Sequence, residues 1–150
     1  MANTKQRATD VDLRPAQSGS AYGNEAVHYG KIAPSAPDTS GILRVLRIPG
    51  GTRIDDLTVV NDDCDSTTVP ALTCSVGYSP VDGSSPAANA TYWFAAGQTF
   101  LQAAARSTST SKPITFTKDV YVDIEIGAIA KSFIAGAEIH VIARGENVGV

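Results

Sequence analysis

The sequence predicts an all-β protein: a β-sandwich of jelly-roll type preceded by an extended N-terminal arm. Three observations predict it. Valine and isoleucine number 24 against 6 leucines, and with 14 threonines about a quarter of the 150 residues are β-branched. Such side chains pack well on a pleated surface and lose χ1 freedom in helices. Apolar residues recur with a period of two in several stretches. Turn clusters separate those stretches at intervals of roughly ten residues, which suits a sandwich better than an alternating βαβ fold.

The elements follow in chain order. Residues 1–40 hold few large apolar side chains (Val11, Leu13, Tyr22, Val27, Tyr29, Ile32), and glycine, serine and Pro15, Pro34 and Pro37 interrupt any periodicity. Such a stretch buries too little apolar surface to offset its ordering entropy by itself. It reads as an arm, with the sandwich domain running from 41 to 150. Gly41–Ile48 is a strand ending at the turn Pro49-Gly50-Gly51, and Thr52–Asn61 is the next. Asp62–Ser66 forms a polar loop. Leu72, Cys74, Val76 and Tyr78 then share one face of a half-buried strand. Between Asn89 and Arg106, Tyr92, Trp93, Ala96, Phe100 and Ala104 fall at roughly helical spacing, and Gln102–Arg106 has high helix propensity, so one or two helical turns are expected there. Ser107–Lys112 reads as a polar linker. Ile114–Ala128 is the clearest strand, long enough to require a bend or bulge near Lys118-Asp119. Ala137–Arg144 closes the chain, joined to its predecessor through a small, glycine-containing hairpin connection.

Composition excludes several functions. Twelve basic and 15 acidic residues leave a net charge of −3, which gives no field to gather a nucleic acid. No apolar run approaches the roughly 18 residues of a membrane span. The charged N-terminus lacks the apolar stretch of a secretory signal, and two cysteines do not make a disulfide framework, so synthesis in a reducing cytoplasm is expected.

Candidate chemistry is sparse. His28 and His140 have no partner at ligand spacing and read as surface histidines. Cys64 and Cys74 lie too far apart for a metal pair and read as free thiols. Asn61–Asp65 concentrates acids without the alternating ligands and central glycine of a calcium loop, and reads as a solvated loop. Gly127–Ser132 lacks the glycine that must precede the lysine of a phosphate loop. Asn89-Ala-Thr91 matches a glycosylation sequon without a secretory context. Neither a serine elbow nor a catalytic triad can be assembled, so no catalytic residue, metal or cofactor is expected and function is assigned to surfaces.

A strand leading to "RIPGGTRIDDLTVVNDDCDS", then "LTCSVGYSPVDGSSPAANATYWFAAGQTF", then "PITFTKDVYVDIEIGAIAKSFIAGAEIHVIARG" resembles the small capsid decoration (cement) proteins of tailed bacteriophages. The similar features are a proline-glycine turn before an apolar-acidic strand, an "LT-SVGY" strand followed by an alanine-rich excursion, and a closing pair of strands joined through "AG". The resemblance covers about residues 41–145. It implies a sandwich bound to the outside of an expanded shell as a homotrimer at local three-fold positions. There it would bridge subunits of the major capsid protein and reside on the virion surface. With that role, the arm is expected to reach onto the capsid through Val27, Tyr29 and Ile32, flanked by Arg7, Arg14 and Lys31. Nucleic acid and membrane are not expected as partners. Alternatives are a tail or head-fibre component, or a carbohydrate-binding module using Tyr92, Trp93 and the acidic loop with Ca²⁺.

Overall fold

The structure, a computed structural model, describes residues 4–8, 11, 17–18, 25–34, 41–128 and 133–149. Two sheets pack face to face. Sheet A orders its strands β1 (Thr4–Arg7), β4 (Gly41–Ile48), β10 (Val120–Ala128), β6 (Thr73–Pro80) and β7 (Asn89–Gln98). Sheet B orders β2 (Gln17–Ser18), β3 (Glu25–Ile32), β11 (Ile139–Asn147), β5 (Thr52–Asn61) and β8 (Ala105–Thr108), with β9 (Ile114–Phe116) also paired to β5. The predicted all-β sandwich is observed.

The core follows the period-two reading. Val120, Val122, Ile124 and Ile126 of β10 face Leu57, Val59, Ile139 and Val141 of the opposite sheet within one buried cluster. Phe116 lies in it against Tyr78 and Trp93, at ring-centroid distances of 5.0 and 6.2 Å, with the rings edge-on. The long apolar run from Ile114 does break, at residues 117–119, and its two halves join opposite sheets.

Four expectations are corrected. Asn89–Gln98 is a strand, not helical turns; the only helical piece among the described residues is a 3-10 turn at Phe100–Gln102. The apolar spacing of four marks no buried face, since Ala96 and Ala104 are exposed; β7 instead bulges against β6, with residues 94 to 98 opposite only 76 to 74. Part of the expected linker, up to Thr108, is β8. β10 and β11 are not the two strands of a hairpin, as expected for a connection over Gly127–Gly136, because they lie in different sheets. Glu25–Ile32, expected in the arm, is a sandwich strand paired with β11 along its whole length.

The last point has a steric origin. The inward positions of β3 are Ala26, His28, Gly30 and Ile32. A Cβ on Gly30 would lie 2.3 Å from the carbonyl oxygen of Val45 in β4, so strands of opposite sheets nearly touch there. Small residues are required where large ones would have announced a strand. We expect Gly30→Ala to lower the urea-unfolding free energy by about 3 kcal/mol, since the obstruction is backbone and cannot swing aside. Ala33→Gly, at an exposed site just past the strand, should change it by no more than about 1 kcal/mol.

Candidate interaction surface

Alternation along β3 places Glu25, Val27, Tyr29 and Lys31 on the outer face of sheet B. Val27 is 53% exposed and Tyr29 38%. Strand register extends this face over four strands in rows. Lys31 lies opposite His140, which lies opposite Val60, which lies opposite Arg106. In the next row Tyr29 is followed by Ile142, Thr58 and Thr108. Beyond it come Val27, Arg144 and Asp56, then Glu25, Glu146 and Arg53.

The second row carries no charge and lies between charged ones. Its side chains are held in place: the Thr58 and Thr108 hydroxyls are 3.0 Å apart, and the Tyr29 hydroxyl is 2.7 Å from His140 Nδ1. The Tyr29 and His140 rings lie 5.9 Å apart. Glu138 joins the neighbouring row, accepting from Lys31 Nζ at 2.8 Å and lying 3.3 Å from His140 Nε2. The Lys31 contact holds the Glu138 carboxyl below its ordinary pKa. Arg53 bridges Asp55 and Glu146 in the last row. Arg106 and Arg144 are exposed and form no ion pair among the described residues. These two arginines, with Ile142 and Val60, were not among the expected contact residues.

The outer face of sheet A is of another kind. Arg44 grips Asp123 with two bonds of 2.9 and 3.0 Å and also donates to Ser79 Oγ at 2.9 Å, while the Ser79 hydroxyl donates to the same carboxylate. The side chains of this ion pair are 13% and 11% exposed. Tyr121 lies under the Arg44 guanidinium at 4.0 Å, with Arg7 at 5.4 Å, a cation–π arrangement. Arg47 donates to Asp119, which also accepts from Gly50 N; these bonds outweigh burial and lower the Asp119 pKa.

The expected contact residues therefore separate. Val27, Tyr29 and Lys31 share the exposed face of sheet B. Ile32 belongs to the core, because its even position in β3 points inward, and it is corrected as a surface anchor. Arg7 lies on the outer face of sheet A, donating to the Tyr121 hydroxyl at 3.3 Å. Arg14 lies outside the described residues.

Other readings change as well. His28 is not a surface histidine: it is 4% exposed on the inner face of β3, its Nε2 has no hydrogen-bond partner, and burial lowers its pKa. Cys64 and Cys74 are buried and free, and burial pushes both thiols up to about 12, leaving them unreactive at neutral pH. The acidic loop is not simply solvated. Asp65 is 5% exposed, and its carboxylate accepts from Thr67 N, Thr67 Oγ, Ala71 N and Leu72 N, which closes the loop into β6. No group of three metal-ligating side chains occurs among the described residues. Trp93 is 5% exposed and packed edge-on against Tyr78 and Tyr92, and Tyr92 donates its hydroxyl to the Lys112 carbonyl. That pair lacks the open ring face a sugar needs. Asn89 is exposed at the start of β7, and residues 129–132 of the rejected phosphate loop lie outside the described residues.

No protein-family model matches the sequence, and no curated protein matches it. Solved structures match its fold. A chain of the capsid of Ralstonia phage GP4 is 22% identical, with a TM-score of 0.73, over 96% of this chain and 98% of that one. A chain of the cyanophage Pam1 capsid asymmetric unit is 24% identical, with a TM-score of 0.66, over 89% of this chain and 92% of that one. At these identities the likeness is one of fold.

The bonds to Asp65 generate a pH dependence. Burial raises its pKa, but the hydrogen bonds from Thr67, Leu72 and Ala71 outweigh burial and bring the carboxyl to about 2, from an ordinary 3.8. A depressed folded-state pKa gives stability that is complete above the unfolded value and disappears as pH falls from about 4 through 2. Asp65→Ala leaves buried amides without acceptors and should cost about 3 kcal/mol at pH 7 in chemical denaturation. The variant's stability should also fall less steeply than that of the parent over the acid range.

Proposed function

We propose that this chain is a structural protein of a phage virion, bound to the outer surface of an expanded capsid, where it bridges neighbouring subunits of the major capsid protein. The observation that carries the reading is the whole-length likeness of fold to chains of two phage capsids, covering nearly all of both partners. The order of motifs over residues 41–145 supports it independently. So does the chemistry of the surface: a sheet face with exposed Val27 and Tyr29 beside half-buried Ile142 suits binding by area.

The proposed capsid contacts are Val27, Tyr29 and Lys31, with Arg14 in the preceding stretch, and the proposed assembly is a homotrimer. Many copies on one shell add weak contacts into firm attachment. The carbohydrate reading loses its aromatic platform with the burial of Trp93.

The purified protein mixed with expanded, undecorated shells should give ordered density on the outer local three-folds by cryo-electron microscopy. Density confined to the tail or neck would favour a tail component, and no density on any particle would refute the virion role. In the same binding experiment Tyr29→Ser should weaken attachment by about tenfold and lower stability by about 1 kcal/mol, since it removes a largely covered ring and its bond to His140.

A further inference from the structure

Beyond its apolar row, the outer face of sheet B carries a charge pattern that specifies the chemistry of its partner. We propose that this face docks a protein surface presenting an apolar or aromatic ridge flanked by carboxylates, which ion-pair with Arg106 and Arg144. The proposal rests on the virion reading above and adds to it the docking residues and the character of the site on the shell.

Tyr29, Ile142 and Thr108 form an uncharged lane across β3, β11 and β8, and Thr58 of β5, between the last two in register, is 1% exposed. Arg106 stands on one side of this lane, in the row of Lys31, His140 and Val60. Arg144 stands on the other side, in the row of Val27 and Asp56. With strands about 4.8 Å apart and a rise of about 3.4 Å per residue, the two arginines are offset by about 10 Å across the sheet and about 14 Å along it. They therefore bracket the lane diagonally.

The other cations bordering the lane are engaged within the molecule. Lys31 and His140 meet Glu138, and Arg53 meets Asp55 and Glu146. Arg144 lies opposite Asp56 in register, yet no ion pair closes between them. Two exposed guanidiniums therefore border an uncharged strip. Arginine is suited to such a place because its planar fork binds a carboxylate through two parallel hydrogen bonds. A polyanion fits poorly. Only two arginines are offered, Glu25, Glu138, Glu146 and Asp56 share the face, and the chain carries a net charge of −3. A partner with discrete carboxylates beside an apolar ridge matches both the lane and its borders.

The test uses expanded, undecorated shells as the probe and full-length protein, with Lys118→Glu, which changes the net charge by as much as Arg106→Ala/Arg144→Ala, as the control at an exposed site in the break between β9 and β10. The double variant Arg106→Glu/Arg144→Glu should bind about tenfold or more weakly, and Lys118→Glu should bind like the parent. Arg106→Ala/Arg144→Ala should fall between, and binding by the parent should weaken with added salt. Shells whose surface carboxylates have been converted to amides should bind the parent more weakly and the double variant no worse than before. Unchanged thermal unfolding of the variants separates loss of contact from loss of fold.

Equal binding by the parent and the double variant would overturn the inference while leaving the virion role intact. Failure of the parent itself to bind would overturn both. Displacement of the parent from shells by heparin at low concentration, with amidated shells binding normally, would assign the arginines to a polyanion and also overturn the carboxylate assignment.

Discussion

The contact of Gly30 with the Val45 carbonyl governs which residues this molecule shows to others. It is where β3 of one sheet lies closest to β4 of the other, and only a residue without a Cβ fits there. Once Gly30 points inward, the two-residue period of the strand turns Ala26, His28 and Ile32 inward with it. Val27, Tyr29 and Lys31 then face out. A slip of one residue would bury a lysine and a tyrosine between the sheets and expose Ile32, so the register is strongly fixed. The interaction surface is thus set by a contact on the opposite side of its own strand.

The same contact explains what could be read from the sequence. Strands β4, β5, β6, β10 and β11 were legible because their inward positions carry valine, isoleucine or leucine at period two. Strand β3 was not, because the space above Val45 admits only small residues at Gly30, and alanine and histidine fill the inward positions before it. The stretch was read as an arm by its composition. In β7 the signal was misleading: a spacing of four imitates a helix, yet Ala96 is exposed and Phe100 and Ala104 lie beyond the strand. The break at residues 117–119 was visible because a polar pair interrupts an otherwise regular row.

Legibility of the surface divides in the same way. Val27, Tyr29 and Lys31 could be chosen from the sequence because they alternate within one short segment. Arg106 and Arg144 could not, since their relation to Tyr29 exists only through the pairing of β3, β11, β5 and β8. Asp65 was seen as part of an acidic run, but its burial depends on amides six and seven residues further along the chain. His28 was misjudged because a polar residue beside exposed neighbours looks like surface until its strand is placed.

The two outer faces differ in how far their charges are satisfied within the molecule. On sheet A, Arg44, Asp123, Ser79 and Tyr121 bind one another, as do Arg47 and Asp119. On sheet B, two guanidiniums and an uncharged lane face outward. With sheet B as the proposed docking side, such a body would behave as a tile and not as a brick, covering a foundation in a single course. Open-ended stacking requires complementary patches on opposite sides of each copy. The internal pairing of Arg44 with Asp123 occupies charges that a second patch would need, which on that proposal would keep any layer of these molecules thin.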